Sequence, residues 1–507
     1  MHSQFSSHII AAQDFDLSAE LSKKVLVLVM DEEQSLKDAL DLFASSELSE
    51  AALAAEFELK AGSVERKSLI VNSSLLDLVV AKLKNDQSIH DMHKQLRQVY
   101  KQIKELKASQ LSLLLAAKLS QEQCMQLLKR FELENSKFDL YKTSGVSTKL
   151  DTPKEEAFEL NELKVYSSDS SLLEAASSLV KEASILASSI SNARLLVNQP
   201  ANVMTPSQLA KEAERLAKHC GFEIEVHGPD WIQEQGLKAY WQVAKGSEEE
   251  PRFIIMRYNN AAQSSEKLAL VGKGMCYDSG GYAIKPANHM NTMMTDMAGS
   301  AAVINTMAAL ASAQAQVNVV AIVAACENMI SGRAYRNGDI IGSYAGKYIE
   351  VANTDAEGRL TLADAVSWAW KNEGATKIVD IATLTGAVIV SLGYHYTGVL
   401  ADDEGLWQSL EQASHACGDK VWRLPVDDEY AAQNKSKLAD IKNTGGMGAG
   451  TITAGHFVRA FAGEKPFCHI DIAATSWLDA EDEYNPFGGT GVGTELLYHM
   501  AKEVFKA

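Results

Sequence analysis

Proline is scarce in this sequence, with nine in 507 residues, which leaves little room for disordered Pro-rich linkers. The six cysteines, Cys124, Cys220, Cys276, Cys326, Cys417 and Cys468, are scattered without a C-x-x-C pair. They read as reduced thiols of an intracellular protein. None of the 12 histidines falls in an H-E-x-x-H pattern, which argues against a zinc protease of that type. No apolar run approaches the length needed to span a membrane. The first residues, MHSQFSSHIIAAQDFDLS, lack a basic stretch followed by an apolar run, so the expectation is a cytoplasmic chain without a signal peptide. Positive charge is in the minority, with 48 Lys and Arg against 66 Asp and Glu, a net charge of −18. Such a surface repels phosphate backbones and argues against nucleic acid as a partner. The basic stretch Lys94, Arg97, Lys101, Lys104 and Lys107 has the spacing of one solvated helix face.

What is present is an ordinary globular balance, 46% apolar and 22% charged, over a length that exceeds one usual core. Two domains are expected. Up to about Tyr166 short β-rich segments (Lys24–Met30, Ser68–Val71, Gln110–Ala117) mix with long polar helices such as Gln87–Ala108. The polar segment Thr143–Ser171 is the best linker candidate. A helix over Leu172–Leu196 then bridges into the second half. The boundaries expected are 1–166, a linker and bridging helix at 167–196, and 197–507.

The second half alternates strand and helix. Arg252–Tyr258, Leu268–Gly272, Val317–Ala324, Lys347–Ala352 and Lys377–Thr383 read as strands. Pro206–Cys220, Ser300–Ala313 and Leu360–Lys371 read as helices. That order argues an α/β fold around a largely buried sheet. Glycine collects at strand ends, as in GKGMCYDSGG and NTGGMGAG, where open α/β sheets place their sites.

Four clusters between Val271 and Gly386 carry candidate chemistry. VGKGMCYDSGG holds Lys273 and Asp278, YAIKP holds Lys285, and TDMAGSAA holds Asp296 just before a helix. NTDAEGRL holds Asp355, Glu357 and Arg359, each two residues from the next. Singly, each Asp reads as a turn or capping residue and Lys285 as a surface lysine. Together, four carboxylates beside glycines need cations, because like charges at close range cannot all ionise. In Asp-Ala-Glu an extended backbone would aim both carboxylates to one side across small Ala356. Hard divalent ions with oxygen ligands are the natural remedy, and two of them would polarise a carbonyl and generate hydroxide at neutral pH. A phosphate cradle is discounted, since G-x-x-x-x-G-K-[ST] is absent.

These strings carry a resemblance. GKGMCYDSGGYAIKP and NTDAEGRLTLADA resemble the signature blocks of the leucyl aminopeptidase family (peptidase family M17), with support from LLVNQPANVMTP, VVAIVAACENMISGRAYRNGDI and DIATLTGA. The resemblance covers Ala193 to the C-terminus. It implies a macro-domain-like N-terminal α/β domain and a C-terminal α/β catalytic domain with a mixed central sheet flanked by helices. It implies two divalent metals, Zn²⁺ or Mn²⁺, with Co²⁺ or Mg²⁺ also fitting the more exchangeable site. Asp278 and Glu357 would bridge them, Asp355 would complete the exchangeable site, and Asp296 and Lys273 the tighter one. Lys285 would hold the substrate carbonyl oxygen as negative charge develops on it. Arg359 would hold a bicarbonate acting as general base. Met293, Thr383 and Ala473 would surround the first side chain, and the assembly would be a homohexamer acting on peptides with a free N-terminus, preferring apolar (Leu- or Met-like) or small first residues.

The sequence departs from the common blocks at Ala298 and Ala474, where glycine is usual, each adding a methyl near the expected site. One methyl shifts discrimination by roughly 1–3 kcal/mol, so the preferred first residue is left open, cysteinylglycine included. Cys276 reads as a buried inert thiol, Met294 as core, and His289 as a residue at the surface or behind the site.

Overall fold

Strands that are apolar on both sides have to lie inside a sheet covered on both faces, and Val25–Met30 and Asn318–Asn328 do so. The computed structural model describes residues 5–43, 46–136, 138–141, 159–446 and 448–506. The chain divides into two compact units, Met1–Ser188 and Ser189–Ala507. The long helix Ser170–Asn198 runs through the boundary between them.

The first unit is built on a six-stranded sheet in the order Ser6–Ala11, Glu162–Ser167, Gln110–Leu115, Val25–Met30, Ser74–Lys82, Val64–Val71. All neighbours are parallel except the last pair, an antiparallel hairpin. Val25–Met30 is buried at every residue. Helix Gln121–Glu134 opens on a reciprocal cap: the Gln123 amide donates to Ser120 Oγ at 3.1 Å, and the Ser120 amide to Gln123 Oε1 at 2.9 Å. Ser120→Ala is expected to cost about 1 kcal/mol in urea unfolding. The segment expected to be a linker is corrected in part. Glu162–Ser167 is a strand paired on both sides, because Leu163 and Val165 face the core. Residues 143–158 lie outside the described residues.

The second unit holds an eight-stranded mixed sheet, ordered Val421–Arg423, Thr397–Ala401, Phe467–Asp471, Lys377–Ala382, Leu268–Asp278, Asn318–Asn328, Arg252–Asn259, Glu223–His227. The four central strands, from Phe467–Asp471 to Asn318–Asn328, run parallel. Both flanks turn antiparallel at their first strand. The expected α/β architecture with a mixed central sheet is therefore the one observed.

Helices cover both faces of the central strands. On one face Ala269, Val271 and Met275 share a core with Leu360, Val366 and Trp368 of helix Gly358–Lys371. On the other, Gly272 lies against Gly299 and Ser300 of helix Ala298–Ser312. A Cβ on Gly299 would stand 3.1 Å from the Lys273 amide nitrogen and inside contact distance of the Ile381 carbonyl oxygen, so this helix starts directly on the sheet backbone.

The strand Leu268–Asp278 runs six residues past the expected stop at Gly272. Cys276 is an extra residue in it: Met275 pairs with Cys326 and Tyr277 with Glu327, so the ladder bulges between them. Lys347–Ala352 holds a strand, as expected, though a shorter one. Its strand, Tyr348–Glu350, belongs not to the large sheet but to a small one with Ile340–Gly342 and Ile441–Lys442.

Candidate metal centre

Each of the four parallel strands ends in a polar residue or hands the chain to one. Asp278 and Asn328 are the last residues of neighbouring strands and stand opposite each other in register. Asp471 ends a third strand opposite Ala382, and Thr383 follows Ala382. The C-terminal edge of the parallel strands thus collects the candidate site, as open α/β sheets do.

Carboxylates gather there on a lysine frame. Ligand oxygens of Asp278, Asp355 and Glu357 lie within 4.8 Å of one another. Lys285 Nζ is 2.8 Å from Asp278 Oδ2 and 2.6 Å from Asp355 Oδ1. Lys273, 3% exposed, places Nζ 2.7 Å from Asp296 Oδ2 and 3.0 Å from Glu357 Oε1, and donates to the Thr383 carbonyl at 2.9 Å. Its stem crosses the start of helix Gly358–Lys371. A Cβ on residue 358 would lie 2.8 Å from both Lys273 Cδ and Nζ, so only glycine leaves the lysine its path.

The electrostatics follow from burial and these pairs. Burial works to lower the Lys273 and Lys285 pKa values, but the carboxylates around them outweigh it and both ammonium groups are stabilised. Burial, with Glu357 and Asp296 beside it, pushes Asp278 well above the usual carboxylate range. Glu357 is buried too, yet Lys273 and Lys285 together hold it below its ordinary value.

The donor set suits a hard divalent cation. It is made of carboxylate oxygens, and Glu357 Oε2 is buried with no hydrogen-bond partner. Convergence does not arise as expected, however. Asp355 sits in a turn and Glu357 has helical angles (φ −83°, ψ −38°), so a turn running into a helix start, not an extended tripeptide, aims both carboxylates inward.

The remaining expected residues are placed as follows. Asp296 is not the helix cap, a position held by Met297; its Oδ1 accepts from Thr383 Oγ1 at 2.7 Å. Arg359 is buried at the first turn of helix Gly358–Lys371, with Nη1 donating to the Asn443 carbonyl at 2.7 Å and Nε without a partner. Burial pushes its pKa down to about 10, against the pull of Glu357 and Asp471. Met293 and Ala473 are half-buried, and so is Met294, which does not join the core. His289 is exposed. Cys276 is buried, and burial pushes its thiol well above the ordinary value. Ala474 is buried, and Ala298 lines a narrow crevice with Ala193, Val197 and Val492.

Three polar residues that sequence reasoning passed over hold this arrangement. Asn328 Nδ2 donates to Asp278 Oδ1 at 2.7 Å and to the Thr354 carbonyl at 3.0 Å. Asp471 Oδ2 accepts from Thr385 Oγ1 at 2.6 Å, and its Oδ1 accepts the amides of Leu384 and Ala473 at 3.1 and 3.2 Å. Asn443 binds the turn that carries Asp355. Asn328 lies inside the string VVAIVAACENMISGRAYRNGDI and Asn443 opens NTGGMGAG, but an amide side chain alone gives no signal of such a task.

The stretch that carries this site is similar to known proteins. Residues 191–498 match the catalytic domain of the cytosol aminopeptidase family. Over 323 residues the chain is 48% identical to a probable cytosol aminopeptidase of Clostridium perfringens, covering 64% of this chain and 66% of that one. A probable cytosol aminopeptidase of Clostridium tetani is 49% identical over 323 residues, 64% of this chain and 67% of its own. One of Treponema denticola is 50% identical over 323 residues, 63% and 68% respectively. The matched stretch spans about two thirds of the length of these relatives. A catalytic-domain match over more than half the chain, containing every carboxylate of the cluster, places the protein: it belongs to the cytosol aminopeptidase family.

Proposed function

We propose that the chain is a metal-dependent aminopeptidase that removes the first residue from peptides or dipeptides. The observation that carries this reading is the convergence of Asp278, Asp355 and Glu357 within 4.8 Å at the sheet edge, beside two buried or half-buried lysines. Asp278, Asp296, Asp355 and Glu357, with Lys273 once its ammonium has lost a proton in the field of the ions, would hold two divalent ions, Zn²⁺ or Mn²⁺, with Co²⁺ or Mg²⁺ in the more exchangeable position. Divalent ions in such a site polarise a carbonyl and make water nucleophilic at neutral pH.

The chain's own groups divide the remaining work. Lys285 Nζ reaches both Asp278 and Asp355, so it stands beside the atoms where a substrate carbonyl would be attacked. There it would hold the oxygen as charge builds on it, the task of an oxyanion donor. Arg359 has a buried Nε with no partner at a helix start, where backbone N–H groups also favour an anion. Bicarbonate is the anion we assign there, to act as general base. Met293, Thr383 and Ala473 would line the pocket for an apolar or small first side chain. Family membership leads us to read the working form as a cytoplasmic homohexamer, and the domain division as 1–166 and 197–507 about the helix between.

Hydrolysis of Leu-Gly, Met-Gly and Cys-Gly, each with a free or an N-acetylated amine, tests the reading with Mn²⁺ or Zn²⁺ present. Turnover confined to free amines and removed by a chelator supports it, and the three rates rank the pocket. Absence of metal-dependent turnover on every free-amine peptide sinks it.

A further inference from the structure

The loop that carries Asp355 and Glu357 has neither strand nor helix to hold it until Gly358. Side chains from outside hold it: Asn337 Oδ1 accepts the Thr354 amide at 2.9 Å, Asn328 and Tyr335 donate to the Thr354 carbonyl at 3.0 and 2.8 Å, and Asn443 grips the residues on either side. Asn443 is fully buried and comes from a segment about 90 residues further along the chain, delivered by the small three-stranded sheet in which Glu350 pairs with Lys442. Its Oδ1 accepts the amides of Ala352 and Asn353 at 2.8 and 3.2 Å. Its Nδ2 donates to the carbonyls of Asn353 and Ala356 at 2.6 and 3.2 Å. Asn353 passes the grip on, since its own Oδ1 accepts the Asp355 amide at 2.9 Å. The Asn443 carbonyl takes Arg359 Nη1 at 2.7 Å. One residue therefore fixes the backbone on both sides of Asp355 and the guanidinium two residues beyond Glu357.

We propose that Asn443 is a positioning residue that sets divalent-cation affinity by holding the 353–357 turn in ligating geometry. The inference rests on the metal-site reading above. Every backbone group that the Asn443 side chain binds lies within three residues of Asp355, whereas Asp278 is held by Asn328 and the Gly280 amide, which Asn443 does not touch. Loss of the amide thus frees the backbone at Asn353 and Ala356, on either side of Asp355, while Thr354 and Asp278 keep their own partners. Partners behind metal ligands typically carry 10- to 100-fold in affinity.

The test is calorimetric titration of Mn²⁺ into chelator-stripped full-length protein, for the wild type, Asn443→Ala, Asn443→Asp and Asn434→Ala, each with a thermal unfolding curve. Asn434 is the control for generic damage. It is buried in the same region and donates to the Thr453 carbonyl, but does not touch the turn. The expected result is an increase in Kd of about 10- to 100-fold for at least one Mn²⁺ in Asn443→Ala, with Asn434→Ala close to wild type. Asn443→Asp separates position from charge. Its carboxylate keeps the acceptor for Ala352 and Asn353 but sets an oxygen against the carbonyls of Asn353 and Ala356. A positioning role weakens Mn²⁺ binding in this variant; a merely electrostatic role strengthens it, since a negative charge is added. Folded Asn443→Ala with wild-type affinities, or Asn443→Asp binding more tightly than wild type, overturns the proposal. Should Asn443→Ala not fold, Asn443→Asp decides alone. A wild type that binds Mn²⁺ without hydrolysing peptides defeats the aminopeptidase reading and leaves this inference standing.

Discussion

Lys285→Ala is expected to lower kcat for Leu-Gly hydrolysis by about 100- to 1,000-fold, the usual cost of removing one oxyanion donor. KM should change little, because the interaction is made chiefly in the transition state. Metal affinity should hold or tighten. The ammonium lies 2.8 and 2.6 Å from carboxylate oxygens of Asp278 and Asp355, so its removal leaves two acidic groups with more field for a cation. Lost turnover with retained Mn²⁺ binding is the pattern that separates Lys285 from a ligand such as Asp278, where Asp278→Asn should lose both. Steady-state kinetics beside a Mn²⁺ titration reads the distinction. A variant within a few-fold of wild-type kcat removes Lys285 from the mechanism.

The largest stability effect is expected at Gly299. A methyl there meets the Ile381 carbonyl, with its carbon at 3.0 Å and the Lys273 amide at 3.1 Å. All of these belong to the backbone of central strands, so no side chain can swing aside. Helix Ala298–Ser312 has to lift, and the strands it rests on are those that carry Lys273 and lead into Thr383. Gly299→Ala should cost about 3 kcal/mol, the upper end of overpacking, and weaken Mn²⁺ binding with it. Gly386→Ala is the comparison. That glycine also sits in the first turn of a helix, but an added Cβ meets nothing within 4 Å. Denaturant unfolding of the pair measures the difference, and equal midpoints would refute the close-approach argument.

What could be read in the sequence depended on whether the cause was local. Helix Pro206–Cys220 has the expected limits because its signals are its own: Thr205 Oγ1 caps the Gln208 amide, Pro206 opens the turn, and Gly221 ends it with φ +85°. The carboxylates and lysines of the site were legible from motif strings. Their geometry was not. Gly272 and Gly274 look like the end of a strand, yet Leu268–Asp278 continues through both, since helix Ala298–Ser312 approaches the backbone at Gly272. Asp-Ala-Glu reads as extended by alternation, but the turn it forms is braced by Asn337 and Asn443 from elsewhere in the chain, and no local pattern announces partners so distant. Tyr348–Glu350 is a strand as expected, but its place in the smaller sheet is set by its pairing with Ile340–Gly342 and Ile441–Lys442, which the order of elements does not announce.

The lysine frame bears on the order of events after synthesis. Four acidic groups meet in the site, and the chain supplies two of the neutralising charges itself, through Lys273 and Lys285. A polypeptide that carries part of its own counter-charge does not depend on captured ions to close its sheet edge. Folding before metallation is then the expected order, and a cooperative unfolding transition in chelator-stripped protein is the measurement that checks it.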